Sequence, residues 1–178
     1  MRFIPHGIAG LLFASLCTAS LAQSYPVKPV HLIVAFGAGG GTDFLARTVG
    51  NTLKDTLGQA IIVVNRPGAG TIIGTDAVAK AAPDGYTLLV SLDQSLTMNQ
   101  WLYSKLPYDP VKDFAPVSLL ANSSRLYVAS TKAPGATLRE LMSFAKANPG
   151  KLNYGSGAIS GQVVGEQILG ATGGKALF

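Results

Sequence analysis

The stretch Leu32–Asp43, LIVAFGAGGGTD, decides the fold, because an apolar strand-like run turns through glycines directly into an amphipathic helix. Gly37, Gly39, Gly40 and Gly41 can take positive φ and carry no Cβ, so the backbone can bend sharply and bring its N–H groups close to a ligand. Thr42 is placed to cap the helix that follows. Leu45, Val49, Leu53 and Leu57 recur at three- to four-residue spacing with Arg47, Asn51, Lys54 and Asp55 between them, which predicts a helix over Asp43–Leu57 with one buried stripe. Gly58 is placed to end it. The first turn of such a helix has unpaired N–H groups and a partial positive charge, which favours a carboxylate or a phosphate. Glycines between a strand and a helix also serve any sharp turn, so the anion reading needs support from elsewhere in the chain.

Two nucleotide motifs are excluded by the spacing. A dinucleotide fingerprint requires G-x-G-x-x-G, but Thr42 stands at the third glycine and the second strand ends in Asn65 instead of an acid. A phosphate loop requires a lysine, and none lies between Lys28 and Lys54.

Strand and helix signals alternate outward from this loop. Strands are expected at Val30–Phe36, Ala60–Val64 and Tyr86–Ser91, and a helix at Ile72–Ala81. This order predicts a parallel sheet with helices on both faces. A short helix around Ser95–Tyr103, a proline-rich link at 106–110 and a strand at Ala115–Leu120 follow. The polar stretch Ala121–Arg125 marks a crossing between two lobes, 23–121 and 122–178, with a further strand at Leu126–Ser130. Thr137 and Glu140 have the T-x-x-E form of a capping box, placing a helix from Leu138 to about Asn148. Lys151–Gly155 reads as a strand, and Gly155-Ser156-Gly157 with Ser160 and Gly161 leads into a helix over about Gln162–Leu169. This repeats the strand, glycine loop and helix plan of the first motif, so two such loops could face each other across a cleft.

Composition limits the function. The amino end has Arg2, an apolar run Gly7–Leu16 too short to span a bilayer, and Ser20-Leu21-Ala22 as a small-x-small cleavage site, so residues 1–22 are expected to be a signal peptide. Cys17, the only cysteine, leaves with that leader, as does Arg2, lowering the formal charge from +5 to +4. Lysines and arginines are scattered with no clustered stripe, which argues against nucleic acid as a partner.

Five separated motifs then resemble one family. They are YPVKPVHLIVAFGAGGGTDFLAR (Tyr25–Arg47), VVNRPGAGTIIG (Val63–Gly74), AKAAPDGYTLL (Ala79–Leu89), LPYDPVKDFAPVSLL (Leu106–Leu120) and NPGKLNYGSG (Asn148–Gly157). In this order they resemble the tripartite tricarboxylate transporter solute receptors, the Bug or TctC-like periplasmic binding proteins. The resemblance implies an α/β fold of the type II periplasmic binding protein kind, with two lobes of parallel-rich sheets and flanking helices. It implies a monomeric, non-enzymatic periplasmic receptor that holds a small carboxylate, without cofactor or metal, and delivers it to a membrane permease. Carried over by position, the first loop comprises Phe36, Gly37, Ala38, Gly39, Gly40, Gly41, Thr42 and Asp43. The loop after the third strand comprises Ser91, Leu92, Asp93 and Gln94, and the second-lobe loop Ser156, Gly157, Ala158, Ile159 and Ser160. The family pattern runs to about twice this length, so the second lobe is expected to be incomplete, and a fragment of this kind is expected to fold weakly and bind poorly.

Individual residues have competing roles. Asp43 can interact with the positive end of its own helix or accept hydrogen bonds from a ligand. Arg66 and Arg125 are carboxylate clamps or plain surface charges, and Tyr86, Trp101 and Tyr103 line a cleft or fill the core. A hydrolase using Ser156 or Asp43 is an alternative, but His31 is the only histidine beyond the leader and Gly155-Ser156-Gly157 is not G-x-S-x-G. A receptor presenting ligand to a membrane kinase is another.

Overall fold

A computed structural model of the protein describes residues 24–178, and the leader expected at 1–22 lies outside the described residues. The centre of the fold is β1 (Val30–Val34), which pairs in parallel with β2 (Ile61–Asn65) on one side and β3 (Thr87–Val90) on the other. The order β2-β1-β3 makes β1 the innermost strand. Val30, Leu32, Ile33 and Val34 are accordingly buried, as an apolar strand covered on both faces should be.

Two helices sandwich this sheet. Helix α1 (Gly41–Leu57) joins β1 to β2 and packs on both, while α2 (Ile72–Ala79) joins β2 to β3 and packs on β3 and β1. The first crossover steps to one side of β1 and the second steps back past it, so two right-handed connections put their helices on opposite faces. Side chains of β1 alternate to match. Leu32 and Val34 form a core cluster with Ala46 and Val90, whereas Ala35 on the other face meets Gly74 of α2.

Small residues set how closely the helices approach. The fully buried line on α1 is Asp43, Ala46 and Gly50, while the expected stripe of Leu45, Val49, Leu53 and Leu57 is only half-buried at its sides. A Cβ on Gly50 would stand 3.2 Å from Ile61 Cγ2, so the helix lies almost directly on the strand. On the other face, a Cβ on Gly74 would come within 2.7 Å of the Arg66 carbonyl oxygen and 2.9 Å of Ala35 Cα. Those contacts are backbone and cannot move aside.

The turn before α2 is the least expected part of the fold. Ala69, Gly70 and Thr71 form one 3-10 turn with φ of 46°, 60° and 82°, three consecutive residues in the left-handed region. Left-handed backbone costs about 1–2 kcal/mol per non-glycine residue. Buried hydrogen bonds hold this turn in place. Asn99 Nδ2 donates to the Gly70 carbonyl at 3.0 Å and to Thr71 Oγ1 at 3.2 Å, and Thr71 Oγ1 shares a 2.7 Å bond with Ser95 Oγ. The Tyr108 hydroxyl closes the group by donating to the Ser95 carbonyl at 2.7 Å.

After β3 the expected single helix is two short ones, α3 (Gln94–Thr97) and α4 (Asn99–Leu102), separated at Met98. The strands expected at 115–120 and 126–130 do not form. Their apolar side chains, among them Val117, Leu119, Leu126 and Val128, are exposed, because no described strand pairs with this stretch. Alternation alone cannot make a strand without a hydrogen-bonding neighbour. A second unit follows with α5 (Leu138–Ala147), β4 (Leu152–Asn153), α6 (Ile159–Thr172) and β5 (Ala176–Leu177). Its two strands pair in parallel through α6, and α5 packs on α6 around Ala145 and Leu169. The capping box is formed as expected, with Thr137 Oγ1 accepting from the Glu140 N–H and the Glu140 carboxylate accepting from the Thr137 N–H.

The expected cost of Gly74→Ala is about 1–3 kcal/mol of folding stability, since overpacking meets backbone on two sides. Gly58→Ala, at the left-handed end of α1 (φ 66°) with open space around it, is expected to cost about 1 kcal/mol. Denaturant unfolding of both variants checks the order, and equal losses would show that the α2 contact is not tight.

Candidate functional site

β1 and β3 are adjacent parallel strands, and in open α/β sheets ligands bind outside the carboxyl ends of the strands. The glycine loop follows β1 and Ser91-Leu92-Asp93 follows β3, so the structure places both expected loops at this crevice. Within the first loop only Gly39 has positive φ, at 82°, so the conformational freedom expected of four glycines is used at one. The others serve by lacking bulk, since a Cβ on Gly37, Gly39 or Gly41 would meet nothing within 4 Å. Gly37 to Gly41 are exposed.

Thr42 does not cap the helix. Helix α1 starts at Gly41, its N-cap is Gly40, and no side chain accepts a capping hydrogen bond. The extended backbone of Gly40 (φ −81°, ψ 170°) starts the helix one residue earlier and puts Thr42 inside the first turn. The first bond of the helix is from the Phe44 N–H to the Gly40 carbonyl at 2.9 Å. The N–H groups of Gly40, Gly41, Thr42 and Asp43 find no acceptor among the described residues. Phe36, expected among the ligand contacts, packs its ring against the core cluster and offers its carbonyl to Asn65 Nδ2 at 3.1 Å.

Asp43 is the fixed point of the loop. Its carboxylate is buried and accepts from the Gly39 N–H at 2.9 Å, from Arg47 Nε at 3.0 Å and from Asn65 Nδ2 at 2.9 Å, with Arg47 Nη2 in ion-pair contact with Oδ1 at 3.0 Å. The hydrogen bonds from Arg47, the Gly39 backbone and Asn65 hold its pKa down at about 2. Arg47, one helical turn on, is also bonded through Nη2 to Asn65 Oδ1 at 3.1 Å. Loop, helix and second strand are therefore joined at one carboxylate. Arg47 and Asn65 were not among the expected site residues. The i,i+4 acid–base spacing of Asp43 and Arg47 and the position of Asn65 at a strand end were the available signals.

The other loops differ. Ser91 shares its hydroxyl with Ser95, linking the crevice to the buried group around Thr71. Asp93 is exposed at the start of α3 and does not cap it with its side chain. Gln94 is 1% exposed and accepts from the Ser160 N–H at 3.2 Å, joining positions 66 residues apart. Ser160 in turn accepts from Arg125 Nη2 at 2.7 Å. Ser156 turns back on its own loop, donating to the Ala158 carbonyl at 2.8 Å, and Gly157 is exposed beside it. Two surface depressions of about 260 and 400 Å³ lie elsewhere, beside Gly50 and Ile61 and beside Glu166 and Lys175.

The fold is that of the periplasmic binding proteins. A solved R. palustris protein with adipate is 30% identical with a TM-score of 0.75, over 86% of this chain and 52% of that one. MatC from Rhodopseudomonas palustris with bound malate is 31% identical with a TM-score of 0.68, over 86% and 53%. Residues 45–176 match the tripartite tricarboxylate transporter family receptor, and the chain belongs to that family. BugT of Bordetella pertussis is 41% identical over 142 residues, 79% of this chain and 44% of BugT. The chain spans 44–49% of the length of the curated relatives it matches.

The depressed pKa of Asp43 sets a pH dependence. Its folded pKa of about 2 lies below the ordinary 3.8, so between those values the unfolded chain binds more protons and acid favours unfolding. The stabilisation is present above pH 4 and disappears as pH falls through about 2. Thermal melts from pH 5 to 2 should show a decline in Tm that is shallower in Asp43→Asn, whereas parallel profiles would remove Asp43 from this role.

Proposed function

We propose that this chain is a periplasmic receptor that captures a small carboxylate at the glycine loop for a membrane permease of the tripartite tricarboxylate type. One observation carries the reading. The uncapped amides of Gly40, Gly41, Thr42 and Asp43 stand at the carboxyl edge of the sheet, held in place by the Asp43 carboxylate. An anion there would accept several backbone hydrogen bonds and meet the positive end of a 17-residue helix. The adipate and malate named with the two R. palustris proteins are of the same chemical class.

In this reading the two units, 23–121 and 122–178, are lobes whose loops face the same ligand. Gly37, Gly39 and Ser91 line the first side and Ser156, Gly157 and Ser160 the second. Phe36, whose carbonyl is bonded to Asn65, acts through the loop and not by touching the ligand, and Asp43 offers only its backbone N–H, because its carboxylate is already bonded to protein. Asp93 and Gln94 flank the junction between the lobes. Export through the 1–22 leader, action as a monomer and delivery to the permease complete the proposal.

The test removes one donor without disturbing the helix. Gly41 is the first helical residue, where proline fits, and Gly40 already has the extended backbone that a following proline requires. Gly41→Pro is expected to weaken succinate binding by about tenfold, in line with losing a hydrogen bond to a charged group, while Tm stays within about 3 °C. Calorimetric titration and thermal melts of the purified chain measure both. Unchanged affinity would move the ligand away from this loop.

A further inference from the structure

We infer that Asn99 fixes the direction of a buried hydroxyl chain, Thr71 to Ser95 to Ser91, and so leaves Ser91 at the crevice as a hydrogen-bond donor. The inference rests on the carboxylate reading above for its ligand and deepens it, because a wall whose proton points outward selects groups that accept. Thr71, Ser95 and Asn99 are fully buried, whereas Ser91, the residue after β3, is half-buried. Ser91 Oγ is bonded to Ser95 Oγ, and Ser95 Oγ to Thr71 Oγ1 at 2.7 Å. Asn99 Nδ2 reaches the far end of the chain, 3.2 Å from Thr71 Oγ1.

The direction is set by the one partner that cannot reverse. A carbonyl only accepts, and the Gly70 carbonyl takes a 3.0 Å bond from Asn99, so the amide must turn its nitrogen to this corner. Turned the other way, it would set two carbonyl oxygens against each other. The Tyr108 hydroxyl agrees, since it donates to the Ser95 carbonyl at 2.7 Å and is left to accept from Asn99 Nδ2 at 3.4 Å. Asn99 Oδ1 is buried with no partner among the described residues, so none of them competes for the opposite orientation.

Each hydroxyl has one proton to give. The Thr71 hydroxyl accepts from Asn99, and its only other partner among the described residues is Ser95 Oγ, so its proton goes there. Ser95 Oγ then accepts from Thr71 and sends its own proton to Ser91, its remaining partner. In the reverse order Thr71 would accept twice, and its proton would be buried without an acceptor, which is unfavourable. Ser91 accepts from Ser95 and finds no acceptor of its own among the described residues, so its proton is the one that the chain leaves over. A carboxylate or carbonyl oxygen satisfies that proton, and an ammonium or amide N–H does not. Asn99, Thr71 and Ser95 are thus positioning residues, and Ser91 is the contact.

Neutron diffraction from deuterium-exchanged crystals of the unaltered chain locates the hydroxyl deuterons directly. The Thr71 deuteron is expected to point at Ser95, the Ser95 deuteron at Ser91, and the Ser91 deuteron away from Ser95. A Ser91 deuteron pointing at Ser95 would overturn the inference and leave the receptor reading intact. Calorimetric titration with succinate measures whether the donor is used, in the native chain, Ser91→Ala, Ser95→Ala and the double variant. Kd should rise about tenfold in Ser91→Ala, and about threefold in Ser95→Ala, where the Ser91 hydroxyl is no longer held in direction. Ser95→Ala should add less than about 1.5-fold once Ser91 is already replaced, whereas a general loss of packing would add in full. Fully additive losses would overturn the relay. Succinate binding that is weakened by Gly41→Pro but not by Ser91→Ala would overturn the donor role while the receptor reading stands. Absence of succinate binding to the native chain would overturn the ligand role of Ser91 and the receptor reading together.

Discussion

One buried carboxylate organises the region where this fold can meet a ligand. Asp43 binds the Gly39 amide, the Arg47 guanidinium and the Asn65 side chain at once, so it fixes loop, helix and neighbouring strand relative to each other. Arg47 also cancels its charge. An uncompensated acid in the first turn would repel any anion approaching the free amides, and the paired acid leaves the positive helix end as the dominant local field. The same residue that could oppose an anion instead ties the loop to helix and strand, which the proposed anion site requires.

The packing beneath follows from how little room the helices need. With Gly50 against Ile61 on one face and Gly74 against Ala35 on the other, β1 is enclosed by close contacts, and its carboxyl end emerges beside that of β3. The crevice is thus a product of strand order. The glycines of the loop decide what can approach it, and the buried hydroxyls of Thr71, Ser95 and Tyr108 support its far wall.

Much of this was legible in the sequence. The parallel sheet, the end of α1 at Gly58 and the capping box at Thr137 follow from local signals, since periodicity and caps are properties of a few adjacent residues. Failures arose where a distant partner decides the outcome. The stretches at 115–120 and 126–130 alternate like strands, yet no described strand pairs with them. Thr42 looks like a cap, but Gly40 takes the extended conformation first. The bonds Asn65–Asp43, Gln94–Ser160 and Arg125–Ser160 span 22, 66 and 35 residues, and no local pattern announces them.

The left-handed turn at 69–71 divides its residues by their freedom to change. Ala69 is exposed and its methyl group makes no hydrogen bond, so glycine or asparagine there would ease the backbone with nothing given up. Thr71 is β-branched and strained in the same sense, but its hydroxyl and carbonyl are bonded to Ser95, Asn99 and Thr75. Drift is open at the first position and closed at the third, so relatives with the same buried hydroxyls should vary at one and retain a hydroxyl at the other.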